Sequence, residues 1–213
     1  MTFICLSQEW ILQDLMHSSK QRKIVNSDGN MIIYLIGFMG SGKSYLAKEL
    51  AELTHSAFID LDQVIVAHEG VSISGIFENN GEQYFRNLES NLLRSITQDL
   101  YKPELIEGEA EPPMPTYTFL ACGGGTPCFN DNMDWMNEHG LTVWINPALE
   151  VLVERLEKEK IQRPLIKDLG LEALKQFIQG KLKEREVYYS KAKVTIYDTH
   201  IPIEEIFKSI VHA

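Results

Sequence analysis

The chain is short of cysteine, of arginine and of long apolar runs, and each shortage closes off a class of protein. Its three cysteines (Cys5, Cys122, Cys128) cannot all pair within one chain and form no spaced set with histidine. The expectation is a reducing, cytoplasmic setting without a structural metal. No stretch approaches the roughly 20 apolar residues of a membrane span, and Gln8, Glu9, Gln13 and Asp14 interrupt any secretory h-region. Positive charge is also scarce: 20 Lys and Arg stand against 30 Asp and Glu, a net −10. That balance argues against a nucleic-acid binder, which needs a basic face. It leaves room for an anionic ligand, because a pocket can be locally positive on an acidic body. With only six arginines (Arg22, Arg86, Arg94, Arg155, Arg163, Arg185), their placement becomes informative.

What is present is an ordinary globular composition, 44% hydrophobic and 23% charged, over 213 residues. That length suits one α/β domain. Residues 1–30 read as an extension of uncertain role, and two readings stay open for them. In one they form a docked or frayed helix carrying Phe3, Trp10 and Leu15; in the other Met31 is the true start. From Met31 the chain alternates. Short β-branched apolar runs predict strands at 31–36, 57–60, 117–121, 141–145 and 193–197. Between them, helices are expected near 43–54, 62–80, 82–99, from Pro147, near 171–189 and after Pro202. Residues 101–116, acidic and rich in proline, read as a solvated insert. Strands alternating with helices imply a parallel sheet covered on both faces, a three-layer α/β fold.

One motif is complete. Gly37-Phe-Met-Gly-Ser-Gly-Lys-Ser44 fits G-x-x-x-x-G-K-[ST] and lies between an expected strand and helix, the context the motif requires. Backbone N–H groups along such a loop converge on phosphate oxygens, and the helix N-terminus adds its positive end. Lys43 would bridge the β- and γ-phosphates and Ser44 would ligate Mg²⁺. The bland alternative is a glycine-rich turn with a chance lysine. No N-K-x-D motif of the GTPase kind follows, which leaves a small ATP-dependent kinase.

The acceptor must then be read from what surrounds the loop. Asp60 and Asp62 fall where the second strand ends, at the crevice edge of a parallel sheet. Alternation along an extended segment would aim both carboxylates the same way; helix capping, above all by Asp62, is the rival reading. Arg86 and Glu89 are three apart on one helix face. They form either a surface ion pair or a guanidinium held ready for an anion. Gly123, Gly124 and Gly125 follow the third strand and permit close backbone approach to a ligand, or simply make a turn. Residues 162–170, with Arg163, read as a lid over ATP or as an exposed connection.

Together GFMGSGKS, DLD, GEQYFRNLE, GGG, QRPL and KEREVYY, in this order over about 150 residues, carry a resemblance. From Met31 onward the chain resembles the shikimate kinases of the bacterial P-loop type. That resemblance implies a five-stranded parallel sheet of the nucleoside monophosphate kinase superfamily. It also implies transfer of the ATP γ-phosphoryl group, with Mg²⁺, to the 3-hydroxyl of shikimate. It assigns Asp60 with Ser44 to the metal and Asp62 to the shikimate hydroxyl. Arg86 and Arg185 would hold the substrate carboxylate beside Gly123, Gly124 and Gly125. Gly40, Ser41, Gly42, Lys43, Ser44 and Tyr45 would bind ATP, with Arg155 and Pro202 flanking the adenine. Arg163, in a lid of about 161–170, would reach the transferred phosphate, so that Lys43, Asp62 and Arg163 make up the catalytic set. The expected partners are ATP and shikimate, with the chain a monomer. Rival readings are a gluconate kinase-like or nucleotide kinase, or a non-catalytic kinase-like binding protein. Tyr45, the insert and the first 30 residues depart from the family pattern.

Overall fold

The computed structural model describes residues 30–100, 117–163 and 165–212. The N-terminal extension, Cys5, Arg22, the insert and Pro164 lie outside these residues. Five strands pair in parallel in the order β2-β3-β1-β4-β5. They are β1 (Met31–Ile36), β2 (Ala57–Asp60), β3 (Tyr117–Ala121), β4 (Leu141–Ile145) and β5 (Val194–Ile196). The described helices are α1 (Lys43–Thr54), α2 (Leu61–Glu69), α3 (Ile73–Leu100), α4 (Asn132–His139), α5 (Leu149–Glu159), α6 (Leu171–Tyr189) and α7 (Ile203–Val211). None of these helices is long and apolar enough to cross a membrane.

All six residues of β1 are buried, because the strand is central and both its faces are covered. Its side chains alternate between two cores. Met31, Ile33 and Leu35 pack with Leu46 and Leu50 of α1 and with Phe207 and Ile210 of α7. Ile32, Tyr34 and Ile36 face Leu61, Phe85, Leu93 and Met136 on the opposite side. A third, smaller cluster joins Phe38 of the first loop to Leu152, Leu156, Ile166, Leu174 and Ile178.

Three expected boundaries shift. The helix expected over 62–80 is two helices, because Gly70 ends α2 in a left-handed conformation (φ 70°). The chain restarts at Ser72, whose hydroxyl accepts the Gly75 N–H at 3.2 Å. Pro147 does not open α5; that helix begins at Leu149 with Ala148 at its N-cap. The last strand is two residues shorter than expected, at Val194–Ile196. The break expected between 80 and 82 is present: Gly81, at φ 80° and ψ 172°, interrupts α3 and starts the segment that carries Arg86.

This topology sets the site. The carboxyl ends of β1, β3 and β2 lie side by side, and each runs into a functional loop. In parallel sheets ligands bind at this edge.

Candidate active site

A cavity of about 580 Å³ opens over those strand ends. Residues 39–46 form one wall, Asp60, Asp62, Gly123 and Gly124 another, and Arg155, Arg163 and Thr199 the rim. The phosphate loop therefore shares one chamber with both aspartates.

Gly42 caps α1 with no side-chain acceptor for the first-turn N–H groups, so that end of the helix stays open to an anion. Lys43 is buried, and its Nζ donates to the Phe38 carbonyl at 2.9 Å. Burial lowers its pKa to about 8, with Asp62 the chief opposing influence. A lysine held this way is short of negative charge, which a phosphate would supply. Ser41 Oγ is buried with no hydrogen-bond partner, a second unsatisfied polar group in the same loop.

The capping role expected above all of Asp62 falls to Asp60. Its Oδ1 accepts the N–H groups of Asp62 (3.0 Å) and Gln63 (3.3 Å), so Asp60 rather than Asp62 caps α2. Asp62 lies in the first helical turn and not on an extended segment, yet both carboxylates still line the cavity. The Ser44 hydroxyl donates to Asp60 Oδ2 at 2.7 Å, which brings the two oxygens suited to a metal together. Asp62 is open to solvent on the cavity side. The protein packed around its carboxyl raises its pKa, as does the negative charge of Asp60, against the pull of Lys43 and Arg86.

Across Gly123 from Asp62 lies Glu89. A methyl group at Gly123 would sit 3.1 Å from Asp62 Oδ1, Glu89 Oε1 and Thr126 Oγ1 alike, so a side chain there would have to push these three groups aside. Glu89 is completely buried and accepts from Arg86 Nη1 (3.0 Å) and from Thr126 Oγ1 (2.6 Å). Its pKa is raised by burial, with Arg86 and Thr126 opposing. Of the two readings of the Arg86–Glu89 pair, the held guanidinium is the one found. Arg86, its side chain 12% exposed, also lies against Phe85 (4.9 Å) and Phe129 (4.3 Å). A methyl group at Gly125 would come within 2.7 Å of Arg86 Nη2.

Arg185 approaches from α6. Its Nη1 donates to the Gly124 carbonyl at 3.1 Å while its guanidinium lies over Phe38 at 5.4 Å. The same carbonyl accepts Tyr189 Oη at 2.5 Å. Arg155 braces the phosphate loop through the carbonyls of Ser41 (3.1 Å) and Gly40 (3.3 Å), and it contacts Thr199 at 3.4 Å. The Arg163 guanidinium donates to Glu159 at 2.7 Å. Pro202 stands before α7 and is not among the residues lining the cavity; Thr199 is. Tyr45 lines it with 70% of its surface exposed.

Thr126, Phe129 and Tyr189 were given no role from the sequence, although Tyr189 closes the KEREVYY stretch. Each acts through a partner 37 to 65 positions away, beyond the reach of local spacing. Burial raises the thiol pKa of Cys122 and Cys128, which disfavours the reactive thiolate. Among the described residues no group of three His, Cys, Asp or Glu side chains could hold a metal ion unaided.

A family model for shikimate kinase matches residues 39–102 and 114–213. The chain belongs to the shikimate kinase family. A shikimate kinase of Azobacteroides pseudotrichonymphae is 37% identical over 179 residues, covering 84% of this chain and 96% of that protein. The structure resembles the crystal structure of shikimate kinase from Bacteroides thetaiotaomicron at 32% identity, with a TM-score of 0.69 over 82% of this chain and 93% of the other. It also resembles shikimate kinase from Acinetobacter baumannii in complex with shikimate, at 28% identity and a TM-score of 0.68 over 92% and 96%. The cavity thus joins the phosphate loop to Asp60 and Asp62, whereas Arg86, Arg185 and Gly125 are not among its lining residues; Arg185 reaches its edge through the Gly124 carbonyl, and Arg86 lies behind Gly125.

Proposed function

We propose that this chain transfers the γ-phosphoryl group of ATP to the 3-hydroxyl of shikimate, acting as a cytoplasmic monomer. The observation that carries the reading is the held guanidinium of Arg86, set between Gly125 and the Asp62–Glu89 pair beside the phosphate-loop chamber. Such a fork suits a carboxylate or a phosphate; the shikimate kinases among the relatives favour the carboxylate of a hydroxy-acid.

The roles follow from geometry and charge. The open first turn of α1 and Lys43 receive the ATP phosphates, and Arg155 and Thr199 border the nucleoside side. Ser44 and Asp60 supply hard oxygen donors, few in number, as suits Mg²⁺ completed by phosphate oxygens and water. When bound, that ion supplies charge neutralisation between the phosphates. Arg86 and Arg185 hold the acceptor's carboxylate, and the Gly124 carbonyl fixes Arg185 in turn. Asp62 orients the attacking hydroxyl and takes up its proton, a role its raised pKa favours. Arg163, on the segment leading into the lid, swings from Glu159 to the transferred phosphate.

The test is ADP release with shikimate, gluconate and nucleoside monophosphates offered in turn. Turnover is expected with shikimate, and chelating Mg²⁺ should stop it. Absence of shikimate-dependent release would end the proposal.

A further inference from the structure

Arg94 lies two turns beyond Arg86 on α3 and does not line the cavity. Its guanidinium is spent on the loop that leads from the three glycines into α4. Nη2 donates to the Asn130 carbonyl at 2.6 Å, and Nη1 to Asn132 Oδ1 at 2.9 Å and to the Ser90 carbonyl at 3.2 Å. The same group lies over the Trp135 ring at 5.2 Å.

That loop needs holding. Asn130 and Asp131 are consecutive non-glycine residues in the left-handed region, at φ 50° and 54°. Asn and Asp tolerate this conformation better than most residues, but the backbone still prefers to leave it. The loop also touches Arg86 twice. Asn130 Nδ2 donates to the Arg86 carbonyl at 3.1 Å, and Phe129 sets its ring 4.3 Å from the Arg86 guanidinium carbon. Buried Asn132 joins the loop to the glycine turn by donating to the Thr126 carbonyl at 3.0 Å. A guanidinium stacked on an aromatic face keeps its N–H edge aimed outward; in Arg86 the Nε and Nη2 edge meets the exposed carboxylate of Glu82 at 3.3 Å, which a substrate carboxylate would displace.

We propose that Arg94 is a positioning residue for the acceptor site: it pins the strained 129–132 loop and so keeps Phe129 against Arg86. The effect on shikimate rests on the function proposed above, whereas the pinning does not. Each is therefore read separately.

Pinning is read without substrate, by amide hydrogen exchange of the full chain. Arg94→Ala should speed exchange over 129–135 by about tenfold or more, with the sheet unchanged. Equal protection in the two proteins overturns the proposal. The acceptor effect is read by steady-state kinetics with shikimate and ATP. Arg94→Ala should raise the shikimate KM about tenfold, leaving the ATP KM and kcat within about twofold. Arg94→Lys, which keeps the charge but not the fork, should behave like alanine. Asp131→Gly in the Arg94→Ala background relieves the strain and should recover much of the loss. If Arg94→Ala fails to fold, exposed Phe129→Leu decides, with an expected rise of about threefold in the shikimate KM alone. A shikimate KM unchanged in these variants, or one rising in step with that of ATP, overturns the proposal.

Discussion

Arg86 and Arg163 have the same side chain, and the protein treats them in opposite ways. Arg86 is 12% exposed, paired with a buried carboxylate and packed against aromatic rings. Arg163 is 34% exposed and held by one i−4 carboxylate on its own segment. The first is built into place before any ligand arrives. The second, in the proposed function, leaves its carboxylate to meet the phosphate. A group that recognises a substrate feature unchanged by the reaction gains from being fixed, since its ordering cost is met on folding. A group that must meet a charge developing on a transferred phosphate has to let the nucleotide in first.

The contrast can be broken most sharply on the phosphate side. Lys43→Ala should lower kcat by about 10³-fold or more, because it removes the buried positive charge at the phosphates; single-turnover assays would show it. Arg163→Ala should lower kcat by about 10² to 10³-fold with little change in the shikimate KM. Arg86→Ala should do the reverse, raising the shikimate KM by about 10 to 10²-fold and sparing the ATP KM. If these two profiles were exchanged, the division into fixed and mobile arginines would be wrong.

A pH profile sharpens the picture further. The free enzyme loses the Lys43 charge as pH rises through about 8, so kcat/KM for ATP should fall above that point. Bound phosphate favours the charged lysine, so kcat should hold to higher pH. The smallest effect concerns Glu82, an exposed carboxylate 3.3 Å from both Nε and Nη2 of Arg86. That is the edge a substrate carboxylate would take. Glu82→Gln should lower the shikimate KM by up to about fivefold, as befits an exposed pair worth under ~1 kcal/mol.

The strands were legible because each is a short, β-branched apolar run, and the phosphate loop because its glycines and lysine are contiguous. Gly81 announced a helix break correctly, whereas Gly70 was passed over as an interior residue. Asp60 and Asp62 were found as a pair, but which one caps α2 depends on where the helix starts, and a shift of two residues exchanges them. Glu89 could be read either way, because burial decides between a surface ion pair and a held guanidinium and spacing does not report burial. Tyr189 and Phe129 act on residues brought near only by the fold, and periodicity carries no trace of such contacts.

The hydrogen bond from Ser44 to Asp60 has a consequence for how the two ligands sense one another. It links the first turn of α1 to the end of β2, two places from β1 in the sheet, and the same carboxylate anchors the turn that bears Asp62. A cation taking Ser44 and Asp60 as ligands must therefore replace this bond and settle the first turn of α2 together with it. Any effect of nucleotide loading on acceptor affinity through this bond would, by thermodynamic reciprocity, be matched by an equal effect of the acceptor on nucleotide affinity.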